Sequence, residues 1–484
     1  AGDAKWIKVN VLESTGPVPV ALGLDDVRID PGIEGLALGD DLRAFSTAEE
    51  LVVSGLVDEN GKVDAKRLAA RWAKLNGIGS GDVTAKQLRA LRWHGLFVGE
   101  GDDEVLRLYR GHRTFADVTP EQLIDSAHAA GQYLARVTQS DGKFKYEYNP
   151  ITDDYPPSYN IVRHAGTTYA MFELQGVRPD VALLDAANRA LGYLVEQAKP
   201  TEVNGMPASC VVEDRQTKLG GNALAVVAIA KCIEVTGDRR HLDLARQIAD
   251  WIVLTQNPEG QFTVHTRAYP AGPQREFESA YYPGEAVLAL CRLHDIDPQP
   301  KWLDAAERGA KWLINVRDGL LRDDQLSHDH WLLYALNDLH RQRPDDLYVR
   351  HNARICREII KAQHRTPKFD DWIGGYYNPP RSNPTATRTE GLCAAHRLLM
   401  RVGQKELAGE VLEAVRLGVR FQLQTQLRPE QAMHFARPDR ALGGFAEHLT
   451  DLDIRIDTVQ HNISGVLGAY DLLRQRVTSV PGKP

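Results

Sequence analysis

From Thr119 to the end of the chain, apolar residues recur three and four positions apart, the spacing that lays one face of a helix against a core. Six such segments are charged on the opposite face and open near Thr119, Asp180, Arg239, Pro300, Asp345 and Lys405. Six others open near Tyr159, Lys218, Phe277, Leu326, Thr387 and Arg455. These are rich in Ala, Gly and Leu with little charge after the first turn, the composition of helices buried all round. The two sets alternate strictly, and starts within each recur roughly every 60 residues, three intervals differing by loop length, which is the mark of repeated helical hairpins. Six amphipathic and six buried helices cannot build six separate cores. A closed ring can hold them, with buried helices inside and amphipathic ones outside, the first outer helix meeting the last inner one.

Residues 1–115 differ in texture. Trp6-Ile-Lys-Val-Asn-Val and Val18-Pro-Val-Ala-Leu22 favour strands, and Val27 to Leu36 runs through Asp-Pro-Gly turn chemistry, so a small mixed α/β module is expected there, ahead of a helical domain over 116–484. Asp58-Glu-Asn60-Gly61-Lys-Val-Asp64 starts like a calcium loop, but Lys62 stands where a ligand belongs and no glutamate closes it, so it reads as a turn between helices. Within the helical part, Thr138-Gln-Ser-Asp-Gly142-Lys-Phe144 and Thr255-Gln-Asn-Pro-Glu-Gly260-Gln-Phe262 each follow an outer helix and each end in Gly-x-Phe. With these features the region Thr119–Arg476 resembles the (α/α)6 toroids, the six-hairpin scaffold of many glycosidases, polysaccharide lyases and sugar epimerases. The resemblance implies a mainly α chain built as a barrel of alternating inner and outer helices.

Composition narrows the function. The 484 residues carry 58 Lys+Arg against 65 Asp+Glu, a net charge of −7, and no basic block, which argues against nucleic acid as a partner. No uncharged apolar run is long enough to span a membrane, so a soluble protein is expected. Because the chain begins at Ala1, export after removal of a leader is compatible with it. Cys210, Cys232, Cys291, Cys356 and Cys393 are odd in number and widely spaced, the pattern of buried free thiols. Neither a Cys/His ligand spacing nor a cofactor fingerprint occurs, so no metal and no cofactor are expected; His328 and His330, two apart, diverge on a regular helix.

The buried helices are polar at their opening turns: Tyr159-Asn-Ile-Val-Arg163-His164, Lys218-Leu-Gly-Gly-Asn222, Glu278-Ser-Ala-Tyr281-Tyr282-Pro-Gly-Glu285, His328-Asp329-His330-Trp331, Arg388-Thr-Glu390 and Arg455-Ile-Asp457-Thr-Val-Gln460-His461. Six such ends at one rim would form a pocket. Single residues have plain alternatives: Arg163 and Arg455 can be ion-pair partners of Glu278 or Asp457, His164 and His461 can be core histidines, and a carboxylate such as Glu390 suits a helix start. Aromatic residues Tyr281, Tyr282, Trp331, Tyr376 and Tyr377 suit stacking on sugar rings, Tyr159 at the same rim is a further expected substrate contact, and Arg163, Arg388 and Arg455 suit a carboxylated sugar, so an oligosaccharide or polysaccharide is the expected partner.

Two chemistries fit those residues. Glycoside hydrolysis would draw its acid and base from Asp329, Glu390 and Asp457. β-Elimination or C5-epimerisation of a uronic acid would use an arginine to neutralise the sugar carboxylate and Tyr282, His164 or His330 to take the proton. Asp370-Asp371-Trp372 resembles the catalytic pair of six-hairpin α-mannanases, and Arg455–Asn462 resembles the histidine-bearing helix of D-glucuronyl C5-epimerases. Cleavage of a glycosidic bond by hydrolysis or elimination is the primary expectation, uronate epimerisation the alternative, and a non-catalytic glycan- or peptide-binding ring the third.

Overall fold

The protein, a computed structural model, is described over residues 5–17, 35–57, 62–77, 83, 85–99, 104–270, 272, 277–367 and 369–479. Much of the expected Val18–Leu36 segment and the Asp58–Gly61 part of the calcium-like loop lie outside these residues.

The described N-terminal residues build one antiparallel sheet and two helices: β1 (Trp6–Pro17), β2 (Gly35–Leu38), β3 (Ala44–Thr47), α1 (Ala48–Val53), α2 (Ala65–Asn76), β4 (Leu88–Gly99), β5 (Leu106–Tyr109) and β6 (His112–Arg113). β4 is the spine, pairing with β1 along its whole length and with β2 and β5 on its other edge. Leu36, Leu51, Leu68 and Trp72 close a small core of their own. Trp72 satisfies its buried indole N–H by donating to Ser46 Oγ at 3.0 Å.

The helical part runs in chain order as α3 (Pro120–Val137), β7 (Glu147–Tyr148), α4 (Ile161–Val177), α5 (Val181–Glu196), β8 (Ala198–Val203), β9 (Met206–Glu213), β10 (Gln216–Lys218), α6 (Leu219–Thr236), α7 (Leu242–Leu254), β11 (Thr266–Ala268), α8 (Tyr282–Ile296), α9 (Pro300–Trp312), α10 (His330–Gln342), α11 (Asp346–Ala362), α12 (Ser382–Arg401), α13 (Lys405–Thr425), the short α14 (Pro429–Ala432) and α15 (Pro438–Ala441), β12 (Ile454–Arg455) and α16 (Ile456–Ser479). The inner helices α4, α6, α8, α10, α12 and α16 each touch the next, α16 returns to α4, and the outer α3 packs on α16, so the ring closes as expected. α6 is long and apolar enough to cross a membrane, yet its residues are buried within the ring.

Local chemistry sets the boundaries. Thr119, Asp180 and Asp345 cap three outer helices, and Asn160 and Asp329 cap two inner ones, each accepting backbone N–H groups of the first turn. Three inner helices start elsewhere than the periodicity predicts: α8 at Tyr282 rather than Phe277, α10 at His330 rather than Leu326, and α12 at Ser382 rather than Thr387. Pro283 in the first turn of α8 fits a helix start, where its missing N–H is harmless. The sheet β8–β9–β10–β11 between α5 and α8 is not among the elements expected from the periodicity.

Candidate functional site

The N-termini of the inner helices surround a hollow of about 290 Å³ at one mouth of the ring. Every inner helix contributes to its wall: Asn160 and Arg163 at the start of α4, Leu224 of α6, Tyr281, Tyr282 and Glu285 of α8, His330 and Trp331 of α10, Asn383 and Arg388 of α12, and Asp457, Gln460 and His461 of α16.

On the floor, α10, α12 and α16 bring three groups together. The rings of His330 and His461 stand 5.2 Å apart, nearly perpendicular at 80°. His461 Nδ1 lies 2.7 Å from Glu390 Oε1 and 3.1 Å from Gln460 Nε2. His330 is buried with neither ring nitrogen hydrogen-bonded, and Glu390 Oε2 is likewise buried without a hydrogen bond. Gly391 makes this approach possible, since a Cβ there would lie 3.0 Å from the His330 Cα. Burial drives the His330 pKa well below its ordinary value, helped by the charges of His461 and Arg388, so the ring is a neutral base. Burial raises the Glu390 carboxyl to about 7, against the lowering effects of His461 and the Tyr334 hydroxyl.

One wall pairs two guanidiniums with a single carboxylate. Asp457 receives Arg455 Nε at 2.5 Å and Arg163 Nε at 2.8 Å, with Asn383 Nδ2 at 3.2 Å. Its burial would raise its pKa, but the hydrogen bond and charge of Arg455 and the charge of Arg163 outweigh burial, leaving a fixed carboxylate. On the neighbouring α12, Arg388 stands without an acidic partner. Arg388 donates to His328 Nδ1 at 2.9 Å and to the Pro384 carbonyl at 2.8 Å, and lies over the rings of Tyr376 and Tyr377. No carboxylate among the described residues pairs with it. His328 is kept neutral, its pKa pushed down to about 4 by burial and by Arg388.

Beside these, burial and the nearby Asp329 raise Glu285 to about 8, and burial raises Tyr282 to about 12, so both are protonated donors at neutral pH. Tyr377, expected as a stacking aromatic, and Asn160, Glu285 and Gln460 of the polar opening turns line the hollow, and Asn383, which carried no signal, joins them. Glu285 had a signal, seven residues after Glu278, but α8 begins four residues beyond Glu278 and leaves that glutamate exposed outside the helix.

The hollow thus gathers Arg163, Tyr281, Tyr282, His330, Trp331, Arg388, Asp457 and His461, with Glu390 behind His461 and Arg455 behind Asp457. Other candidates are placed elsewhere. His164 is fully buried between Tyr159, whose OH is 2.7 Å from Nδ1, and the Ala190 carbonyl, 2.8 Å from Nε2, which makes it a core histidine. Tyr159 caps that contact and receives the Phe144 N–H at 3.1 Å. Asn222 ties β9 to α6, accepting from Val211 N at 2.8 Å and donating to Thr217 Oγ1 at 2.8 Å. Asp329 caps α10 and faces Arg317 at 3.6 Å, its carboxyl raised by burial to about 6. Tyr376 is a buried platform under Arg388. The Asp370-Asp371 pair lies away from the hollow: buried Asp371 receives Arg110 Nε at 2.9 Å and stands 3.5 Å from His112, clasping the N-terminal sheet to the ring.

Six inner and six outer helices in alternation, with polar inner N-termini around one hollow, define an (α/α)6 toroid of the six-hairpin class. Solved structures share the fold. The alpha-1,6-mannanase of Salegentibacter sp. HEL1_6 superposes with a TM-score of 0.51 at 12% identity, over 72% of this chain and 99% of its own. A D-mannose isomerase does so with 0.55 at 13%, over 73% and 97%. The cellobiose 2-epimerase of Spirochaeta thermophila gives 0.51 at 15%, over 74% and 98%. No family model and no curated protein sequence matches the chain.

Proposed function

We propose that the protein is a carbohydrate-active enzyme that takes a proton from the carbon beside the carboxylate of an acidic sugar. Reprotonation on the opposite face then gives epimerisation. Loss of the β-linked oxygen instead gives elimination and cleaves the glycosidic bond. The observation that carries the reading is the pair of imidazoles, His330 and His461, held 5.2 Å apart on the floor of a sugar-sized hollow.

Each step has a group to perform it. A sugar carboxylate seated on Arg388 meets the guanidinium that lacks an acidic partner, and neutralising that carboxylate stabilises the charge that develops when the adjacent C–H bond breaks. Neutral His330 accepts the proton and its C–H electron pair passes into the carboxyl group. His461, oriented by Glu390 at 2.7 Å, returns a proton to the carbon or delivers it to the departing oxygen. Tyr282 and Glu285 remain protonated at neutral pH and donate hydrogen bonds to sugar oxygens. Solved proteins of the same fold include a mannanase, a mannose isomerase and a cellobiose epimerase, so the scaffold supports both bond cleavage and stereochemical change on sugars.

Glycoside hydrolysis is the second reading, favoured by one observation: protonated Glu285 and ionised Asp457 line the same hollow. Uronate-containing and neutral oligosaccharides incubated in D2O separate the readings. Deuterium at the carbon beside the carboxylate with an unbroken chain means epimerisation, and an ultraviolet-absorbing unsaturated end means elimination. New reducing ends with neither would replace the proposal by hydrolysis.

A further inference from the structure

We propose that His330, His461 and Glu390 also form a site for one divalent transition-metal ion of the zinc type, and that the ion blocks turnover by occupying the proton-transfer groups. The inhibitory half rests on the acid–base reading above; the site itself rests on geometry alone. One ligand atom from each of the three residues lies within 4.8 Å of the other two. They come from α10, α16 and α12, three helices fixed by ring packing, so the set is pre-assembled.

The second observation is the buried, unpartnered nitrogen. His330 is 4% exposed, and neither of its ring nitrogens has a hydrogen-bond partner; fully buried Glu390 leaves Oε2 in the same condition. Buried polar atoms are nearly always paired, so a buried imidazole and a buried carboxyl oxygen left without partners suit an electrophile. Two imidazoles and one carboxylate match the donor preference of zinc and its first-row neighbours rather than calcium or magnesium. Tetrahedral bonds of about 2.0–2.2 Å set ligand atoms about 3.3–3.6 Å apart, so the most widely spaced pair closes by up to about 1.5 Å. Three protein ligands leave a position facing the hollow, where the metal would compete with the sugar for the same space.

Equilibrium dialysis of the metal-stripped full-length protein against Zn2+ reads the site without reference to activity. The expected result is one high-affinity ion per chain, weakened at least about 100-fold in His330→Gln and in His461→Gln. Glu390→Gln, which keeps the shape of the side chain, gives an independent variant, and thermal unfolding verifies that each is folded. Zinc should inhibit the wild type in competition with the sugar, and a chelator should restore it. Retention of the ion by all three folded variants, or no ion bound, overturns the site. Activation by zinc overturns the inhibitory half and the acid–base reading together. Full turnover by metal-free His330→Gln overturns the acid–base reading alone, leaving the dialysis result as the measure of the site.

Discussion

Glu285 shows how a single carboxyl in this hollow governs stability as well as chemistry. Burial and the neighbouring Asp329 hold its pKa near 8, whereas the unfolded chain releases the proton near 4.5. The folded state therefore carries the extra proton between those values, and stability falls as pH rises through the window. Glu285→Gln is expected to match the wild type near pH 4 and to exceed it near pH 8 by a few kcal/mol, since each pH unit separating the folded from the unfolded value corresponds to about 1.4 kcal/mol. Urea unfolding at the two pH values checks this, and equal pH profiles would contradict it. Arg388 makes a separate prediction. Arg388→Gln should raise KM for an acidic sugar about 10- to 100-fold and leave KM for its neutral counterpart nearly unchanged, because hydrogen bonds to a charged group contribute about 1.5–3 kcal/mol. Equal effects on both sugars would remove it as the anion contact. His330, His461 and Arg388 were legible in the sequence because polar residues at the ends of otherwise apolar helices have few structural reasons to be there. His164 was not separable from them: only the positions of Tyr159 and Ala190 show that its nitrogens are already occupied.

At the level of elements, the repeated Gly-x-Phe after outer helices has a physical cause. Gly142 has φ +85°, and a Cβ there would lie 2.0 Å from the Arg189 carbonyl of α5; Gly260 has φ +103°, with its Cβ position 2.3 Å from the Arg308 carbonyl of α9. Each loop thus packs backbone to backbone on the next outer helix, with Phe144 or Phe262 buried beneath. A glutamine recurs in the same joints: Gln256 donates to Ala305 O at 3.0 Å, Gln363 to Ala414 O at 2.9 Å and Gln426 to Ser126 O at 2.9 Å, the last joining the end of the ring to its start. Gly260→Ala should destabilise by at least about 1–3 kcal/mol from backbone strain alone, read as a lower urea midpoint; an unchanged midpoint would contradict the joint. The sequence motif was visible at two joints, but its reason lay in a neighbouring helix some fifty residues away. The late starts of α8 and α10 have the opposite origin, since apolar periodicity runs on into segments that precede the helix, and Pro283 in α8 and the Asp329 cap of α10 mark where helical hydrogen bonding begins; α12 instead starts early, at Ser382, without a side-chain cap.

For the whole molecule, the ring was legible because a closed core demands a period, and twelve alternating helices supply one. The convergence of His330, Glu390 and His461 was not, because no spacing within one helix encodes a contact made between three. Nor was the use of Asp371, whose partners Arg110 and His112 belong to the N-terminal sheet. Asp371→Asn breaks a buried pair and should lower stability by about 3–5 kcal/mol while sparing turnover at temperatures where the variant is folded; loss of turnover without loss of stability would place Asp371 in the chemistry instead. The central claim is that two imidazoles handle the proton on the carbon beside the sugar carboxylate. Deuterium uptake from D2O at the carbon beside the sugar carboxylate tests it most directly, comparing wild type with His330→Gln and His461→Gln. Uptake into the recovered sugar, or an unsaturated end where the linkage breaks, made by the wild type and reduced at least about 100-fold in each folded variant with sugar affinity retained, is the predicted result; an undiminished rate in either variant, or wild-type turnover with neither uptake nor an unsaturated end, would contradict it.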